Sequence, residues 1–200
     1  MKLIKIVLCV AICFLISCNK KIDLYKVSAK SNNGNFNAVI EIPAGTNKKI
    51  EFNNSTQAFE VDKNNGKDRV IQFLPYIGNY GYIPSTYSNP NQGGDGDALD
   101  VLVISESVKT GSIIEIIPIA VLKLLDEGEI DYKIIAVPAN QSNQIIKVRS
   151  DENFSKNYPA VKNIIELWFL NYNKEDEAVI KGWGNREEAI TEIEKNKKNK

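Results

Sequence analysis

From Phe36 onward the chain runs through short apolar stretches of strand length separated by polar, turn-rich punctuation, and the period changes only near its end. Phe36-Asn37-Ala38-Val39-Ile40-Glu41-Ile42 alternates well enough for a strand that Pro43 and Gly45 terminate. Lys49-Ile50-Glu51-Phe52 continues the pattern, which places Lys49 and Glu51 on one face and the apolar pair on the other. Val101 to Ser105 and Ser112 to Leu125 are β-branched and apolar, with Gly111 at the turn between them, and Ile134 to Pro138 forms a further strand. The helical period comes last: Val161, Ile164, Ile165, Trp168, Phe169 and Tyr172 make one apolar stripe, with Pro159 near the first turn. Gly184-Asn185-Arg186-Glu187-Glu188 reads as an N-cap followed by acids in the first turn, opening a short helix through Ile193. Many strands followed by two helices predict an α+β architecture with a β-barrel core.

The N-terminus follows another pattern. Lys2 and Lys5 precede an apolar stretch from Ile6 to Ser17, and Cys18 follows. That is the layout of a secretory signal, too short to span a bilayer. Leu15-Ile16-Ser17-Cys18 also resembles a bacterial lipobox, so residues 1–17 are expected to be a signal peptide and Cys18 a lipid-bearing mature N-terminus. An ordinary cleaved signal with an incidental cysteine is the alternative. Residues 18–35, largely polar, are then predicted to be a lipidated tether, and residues 36–196 the folded domain. The protein is thus expected to be exported and lipid-anchored in the bacterial cell envelope. Cys9 and Cys13 would leave with the signal and no cysteine follows Cys18, so no internal disulfide is available.

Charge and composition narrow the chemistry. Removing Lys2 and Lys5 leaves 23 basic side chains against 25 acidic ones, a net −2, which argues against a nucleic-acid partner. The chain contains 0 histidines, which excludes His-based triads and His-ligated zinc. The most distinctive stretch is Asp95-Gly96-Asp97-Ala98-Leu99-Asp100, which follows Asn89-Pro90-Asn91-Gln92-Gly93-Gly94 and leads directly into Val101-Leu102-Val103. Carboxylates about 4 Å apart repel by roughly 1 kcal/mol in water and about 4 at an intermediate dielectric. A loop of acids pinned to a buried strand therefore needs protons or a cation, and oxygen-only ligands suit Mg²⁺ or Mn²⁺ better than Zn²⁺. A second acidic turn, Asp126 to Lys133, would bring Asp126 and Asp131 near each other. Arg69 and the tyrosines of Tyr76-Ile77-Gly78-Asn79-Tyr80-Gly81-Tyr82 offer donors for anionic oxygens.

These pieces, in this order, resemble the soluble family I inorganic pyrophosphatases. Asp95, Asp97, Asp100 and Val101 match the signature Asp-x-Asp-x-x-Asp-x, and Glu41-Ile42-Pro43-Ala44, Lys49-Ile50-Glu51, Arg69, Asn79-Tyr80-Gly81-Tyr82, the Asp126–Lys133 turn and Tyr172 match further segments. The resemblance implies a five-stranded OB-like barrel core with two C-terminal helices packed on it, and hydrolysis of pyrophosphate to two orthophosphates with several Mg²⁺ ions, Mn²⁺ being an alternative. It further implies that Asp95, Asp100 and Asp131 ligate a water-activating metal pair, that Asp97 takes the proton, and that Asp126 helps hold a substrate-borne ion. Lys49, Arg69, Tyr80, Tyr172 and a lysine after it, here Lys174, would bind phosphate. Glu41, Glu51, Tyr76, Glu127 and Lys133 would line the cavity. One departure stands out: where the family carries a lysine directly after the late tyrosine, this chain has Asn173. Bacterial members often assemble as hexamers, so a homo-oligomer is a candidate assembly. Two other readings are a calcium-binding module and a catalytically dead relative. Leu99 and Asp100 break the EF-hand pattern of an oxygen ligand followed by glycine.

Overall fold

The computed structural model describes residues 22–173 and 177–198. The predicted signal peptide, Cys18 and Lys174 lie outside the described residues. In chain order the elements are β1 (Phe36–Ile42), β2 (Ile50–Asn53), β3 (Ala58–Val61), β4 (Lys63–Asn64), β5 (Lys67–Asp68), β6 (Asn79–Tyr82), β7 (Asp100–Val103), β8 (Ile113–Asp126), β9 (Glu129–Ile130), β10 (Lys133–Pro138), α1 (Asp151–Asn157), α2 (Pro159–Asn171), β11 (Val179–Gly184) and α3 (Arg186–Asn196).

Five of these strands close on themselves. β1 pairs antiparallel with β6, β6 antiparallel with β7, β7 parallel with β10, and β10 antiparallel with β8, whose first residues return to pair with β1. The result is an OB-like barrel with no free edge among its five strands. The long strand β8 also carries β11 and β9 on its second half. Strands β2 and β3 form a separate hairpin. Alternation along the apolar runs sorts side chains into two cores: Leu102, Ile135 and Val137 join the cluster holding Phe154, Ile165, Trp168 and Phe169 of α1 and α2. Val101, Val103, Ile134 and Ala136 join the cluster holding Ala189 and Ile193 of α3. Both faces of β7 and β10 are covered, which is why these strands read as continuous apolar runs.

Gly81 makes the barrel seam possible. A Cβ there would stand 1.9 Å from the backbone oxygen of Val39 on β1, so only glycine lets β6 and β1 approach this closely.

The structure departs from expectation in several places. The helical region holds three helices rather than two: α1 precedes α2, capped by Ser150 with Asp151 and Glu152 in its first turn. A strand, β11, returns to the sheet between α2 and α3. Ile164, assigned to the apolar stripe, is 50% exposed, whereas Ile165, Trp168 and Phe169 are buried. Spacing places residues on one side of a helix without fixing the width of its buried face, and α2 turns a narrower face to the barrel. The predicted tether is also corrected within 22–35. Leu24 and Tyr25 pack on Phe52 and Tyr82, Ala29 is buried, and the Asn37 N–H donates to Ala29 at 2.9 Å. Backbone hydrogen bonds and apolar contact hold a segment that its composition made look free. Among the described residues no helix is long and apolar enough to cross a membrane.

Candidate active site

A cavity of about 380 Å³ opens where the acidic loop meets the barrel and α2. The loop is held from both sides. Ser88 donates its N–H to the Asp97 carbonyl at 2.7 Å, Gly96 donates to Ser88 at 2.8 Å, and the Leu99 N–H reaches the buried Thr86 hydroxyl at 2.9 Å. Gly96 takes φ +87, and the Asp97 N–H turns back onto Asp95 Oδ1 at 3.0 Å, so the turn presents the two carboxylates before Asp100 enters β7. Asp126 ends β8 and Asp131 precedes β10, which delivers them from a second turn.

Every predicted site residue within the described chain lines this one cavity: Glu41, Lys49, Glu51, Arg69, Tyr76, Tyr80, Asp95, Asp97, Asp100, Asp126, Glu127, Asp131, Lys133 and Tyr172. Tyr82, one of the tyrosines offered by the sequence as a donor, lines it as well, and so do Tyr25, Phe52, Glu129, Trp168 and Phe169, which the sequence does not single out for the site. Rings from α2 make part of the wall. Trp168 stacks on Tyr172 at 4.8 Å, Tyr76 lies 4.7 Å from Trp168, and the Trp168 indole donates to the Leu74 carbonyl at 3.0 Å.

The acids sit under electrostatic stress. Burial pushes Asp100 up to about 6, despite Lys133, with Asp131 adding to the rise. Burial raises Asp97, reinforced by Asp100 and Glu51, and burial likewise raises Asp95. Glu41 is the bulged residue of β1, where the register with β6 slips between Ile40 and Ile42. The bulge places its carboxyl inside, accepting the Phe52 N–H at 2.7 Å, and burial lifts it to about 8.

Lys133 is the counterweight. Its ammonium donates to Asp100 Oδ2 at 2.5 Å and to Asp131, and lies 5.8 Å from the centroids of both Tyr80 and Phe169. Burial works against its charge, but Asp100 and Asp131 outweigh it and keep the ammonium protonated. The Tyr80 hydroxyl donates to the same Asp100 oxygen at 2.5 Å.

The remaining cations form a wall of their own. Lys49 pairs with Glu51 at 2.9 Å, and Arg69 pairs with Asp62 at 2.8 Å. Asp62, also unforeseen, stands 3.9 Å from Lys49 and so bridges both cations. Its N–H bonds to the Lys49 carbonyl, the Arg69 N–H bonds to the Asp62 carbonyl, and the Lys49 N–H bonds to Arg69. Its one sequence signal is the alternation Phe59-Glu60-Val61-Asp62, in which Asp62 is the second acid on the polar face.

Among the described residues no three carboxylates already form a finished coordination cluster. The donor set nevertheless fits a hard divalent cation: the groups are all carboxylate oxygens, and burial with mutual repulsion raises the pKa of Asp95, Asp97 and Asp100.

A closed five-stranded OB-like barrel with flanking helices, carrying one polar cavity with carboxylates and cations on its walls, defines the class. Residues 38–200 match the family described as Inorganic pyrophosphatase, and the chain belongs to that family. The inorganic pyrophosphatase of Neisseria meningitidis serogroup B is 37% identical over 160 residues, covering 78% of this chain and 83% of that protein. That of Kluyveromyces lactis is 37% identical over 175 residues, covering 80% of this chain but only 60% of the longer relative. The crystal structure of inorganic pyrophosphatase from Thermus thermophilus superposes with a TM-score of 0.71 at 26% identity, covering 88% of this chain and 97% of that one.

Proposed function

We propose that this chain hydrolyses pyrophosphate to two orthophosphates in this cavity, with Mg²⁺ as its cofactor. The observation that carries the reading is the gathering of Asp95, Asp97, Asp100, Asp126 and Asp131 with Lys49 and Arg69 around one cavity. Carboxylates alone would repel a polyanion, and cations alone would not activate water. The two together suit metal-assisted phosphoryl transfer.

In this reading Asp95, Asp100 and Asp131 would hold the activating cations, and Asp126 with Asp131 would hold one that arrives with substrate. When bound, Mg²⁺ offsets the charge of pyrophosphate and acidifies water near it. Asp97 accepts the proton as the water oxygen bonds to one phosphorus and the bridging oxygen leaves with its electron pair on the other phosphate. Its carboxyl, raised by partial desolvation and then by Asp100 and Glu51, is a better proton acceptor than a fully solvated aspartate. Lys49, Arg69 and Tyr172 donate to phosphoryl oxygens, with Asp62 aiming the first two, whereas Tyr80 reaches phosphate only by giving up its bond to Asp100. Asn173 supplies an amide where the family carries a lysine, and Lys174 is the nearest substitute in sequence.

The test is orthophosphate release from pyrophosphate by the purified domain, with Mg²⁺ and with chelator. Turnover that chelator abolishes supports the reading. No release would favour a calcium-binding module, and binding without turnover a dead relative.

We further propose that residues 1–17 are a signal peptide, that Cys18 carries a lipid, and that the enzyme works at the cell envelope. Support comes from Lys2, Lys5, the apolar stretch and Leu15-Ile16-Ser17-Cys18. There it would recover phosphate or clear exported pyrophosphate. An unlipidated protein in the cytosolic fraction would overturn this role.

A further inference from the structure

One wall of the cavity comes from outside the family-matched residues. Tyr25 lines the cavity, and the family match begins at residue 38. The segment carrying it is firmly seated. Asp23 Oδ1 accepts the Tyr25 N–H at 3.1 Å, and Ser85 donates its N–H to the Tyr25 carbonyl at 2.9 Å and its hydroxyl to the Val27 carbonyl at 2.8 Å. Ser85 takes φ +55 to do so, a left-handed conformation uncommon outside glycine. The Asn37 side chain adds a bond to the Ser28 carbonyl at 2.9 Å.

The side chain is equally committed. The Tyr25 ring stacks on Tyr82 with centroids 4.5 Å apart and meets the Phe52 ring edge-on at 5.5 Å. Tyr82 is buried, lines the cavity, and its hydroxyl has no hydrogen-bond partner among the described residues. Phe52 is the residue whose N–H holds the Glu41 carboxyl at 2.7 Å. Glu41 and Asp97 are also among the acids whose fields act on the Tyr25 hydroxyl.

We propose that Tyr25 is a positioning residue of the active site: its ring closes the Glu41 end of the cavity, seats Tyr82 and Phe52, and through the Phe52 N–H holds the Glu41 carboxyl in place beside the acidic wall where Asp97 works. The proposal rests on the pyrophosphate reading. The ring is the working part, because the hydroxyl's bond to the Phe52 carbonyl is long, at 3.5 Å. Its ring partners, Phe52 and Tyr82, are not assigned to phosphate, so its loss should act on turnover more than on substrate affinity.

The experiment compares full-length wild type, Tyr25→Phe and Tyr25→Ala at saturating Mg²⁺. Tyr25→Ala should lose roughly 10-fold or more in kcat with KM within about 3-fold, and Tyr25→Phe should recover most of the loss. Hydrogen exchange at the Phe52 amide should accelerate in Tyr25→Ala and stay slow in Tyr25→Phe. An unchanged kcat, a rise confined to KM, or unchanged Phe52 exchange in Tyr25→Ala would overturn the proposal. If Tyr25→Ala fails to melt cooperatively, Tyr25→Leu, which keeps apolar bulk without the stack, is judged by the same criteria. A wild type that releases no orthophosphate would end the functional reading and this proposal with it. A wild type that turns over, matched by Tyr25→Ala, would remove only the role of Tyr25.

Discussion

Two groups decide the chemistry at the scale of the residue, and each can be changed by few atoms. Asp97 belongs to the loop but is not part of the Lys133–Asp100–Asp131 cluster, which leaves its carboxyl for the proton. Asp97→Asn should lower kcat by about 100-fold or more with no loss of Tm, because it removes a base and a repelled charge without removing a packing group. Full activity in that variant would reassign the base. Arg69→Ala should act on the other step, raising KM by roughly 10-fold or more through loss of a charge-assisted contact, with kcat less affected. Glu41 offers a stability test. Its ordinary value of 4.5 applies unfolded and about 8 applies folded, so the native state binds the extra proton between those limits. Its contribution is fully present below pH 4.5 and lost as pH rises toward 8. Glu41→Gln should therefore gain on wild type as pH rises from 5 to 8, at up to about 1.4 kcal/mol per unit, measured by denaturant midpoints without metal.

At the scale of the element, the barrel seam and the bulge in β1 do the positioning. β1 meets β6 across Gly81, and just beyond it the register slips at Glu41. The same two strands thus close the barrel and turn a carboxylate into the cavity. Gly81→Ala would drive a Cβ into the Val39 carbonyl, so we expect a loss of at least about 3 kcal/mol and a collapse of pyrophosphate turnover, read by chemical denaturation alongside activity. A variant as stable as wild type would show that the seam can open. α2 works differently: it is held by Ile165, Trp168 and Phe169, and it supplies the aromatic wall that ends in Tyr172.

At the scale of the whole molecule, the site concentrates like charge that the fold alone does not relieve. Lys133 answers Asp100 and Asp131, yet Asp100 stays raised along with Asp95 and Asp97. Divalent cations that bind only the folded chain should stabilise it by about 2.7 kcal/mol at 100 times their Kd, a Tm rise of roughly 5–10 °C that chelator reverses. An unchanged Tm would mean the acids do not share a cation. Much of this was legible in the residue pattern. The loop from Asp95 to Asp100 needs a compensating charge wherever it folds, because like charges repel regardless of topology. The apolar runs of β7, β8 and β10 declare strands because a strand covered on both faces must be apolar on both. Other features belong to tertiary structure. The convergence of two acidic turns on one cavity, the inward turn of Glu41, the bridging of Lys49 and Arg69 by Asp62, and the seating of Tyr25 all join residues far apart in the chain. Local periodicity carries no information about such contacts, since they form only when closure of the barrel sets the distances between strands.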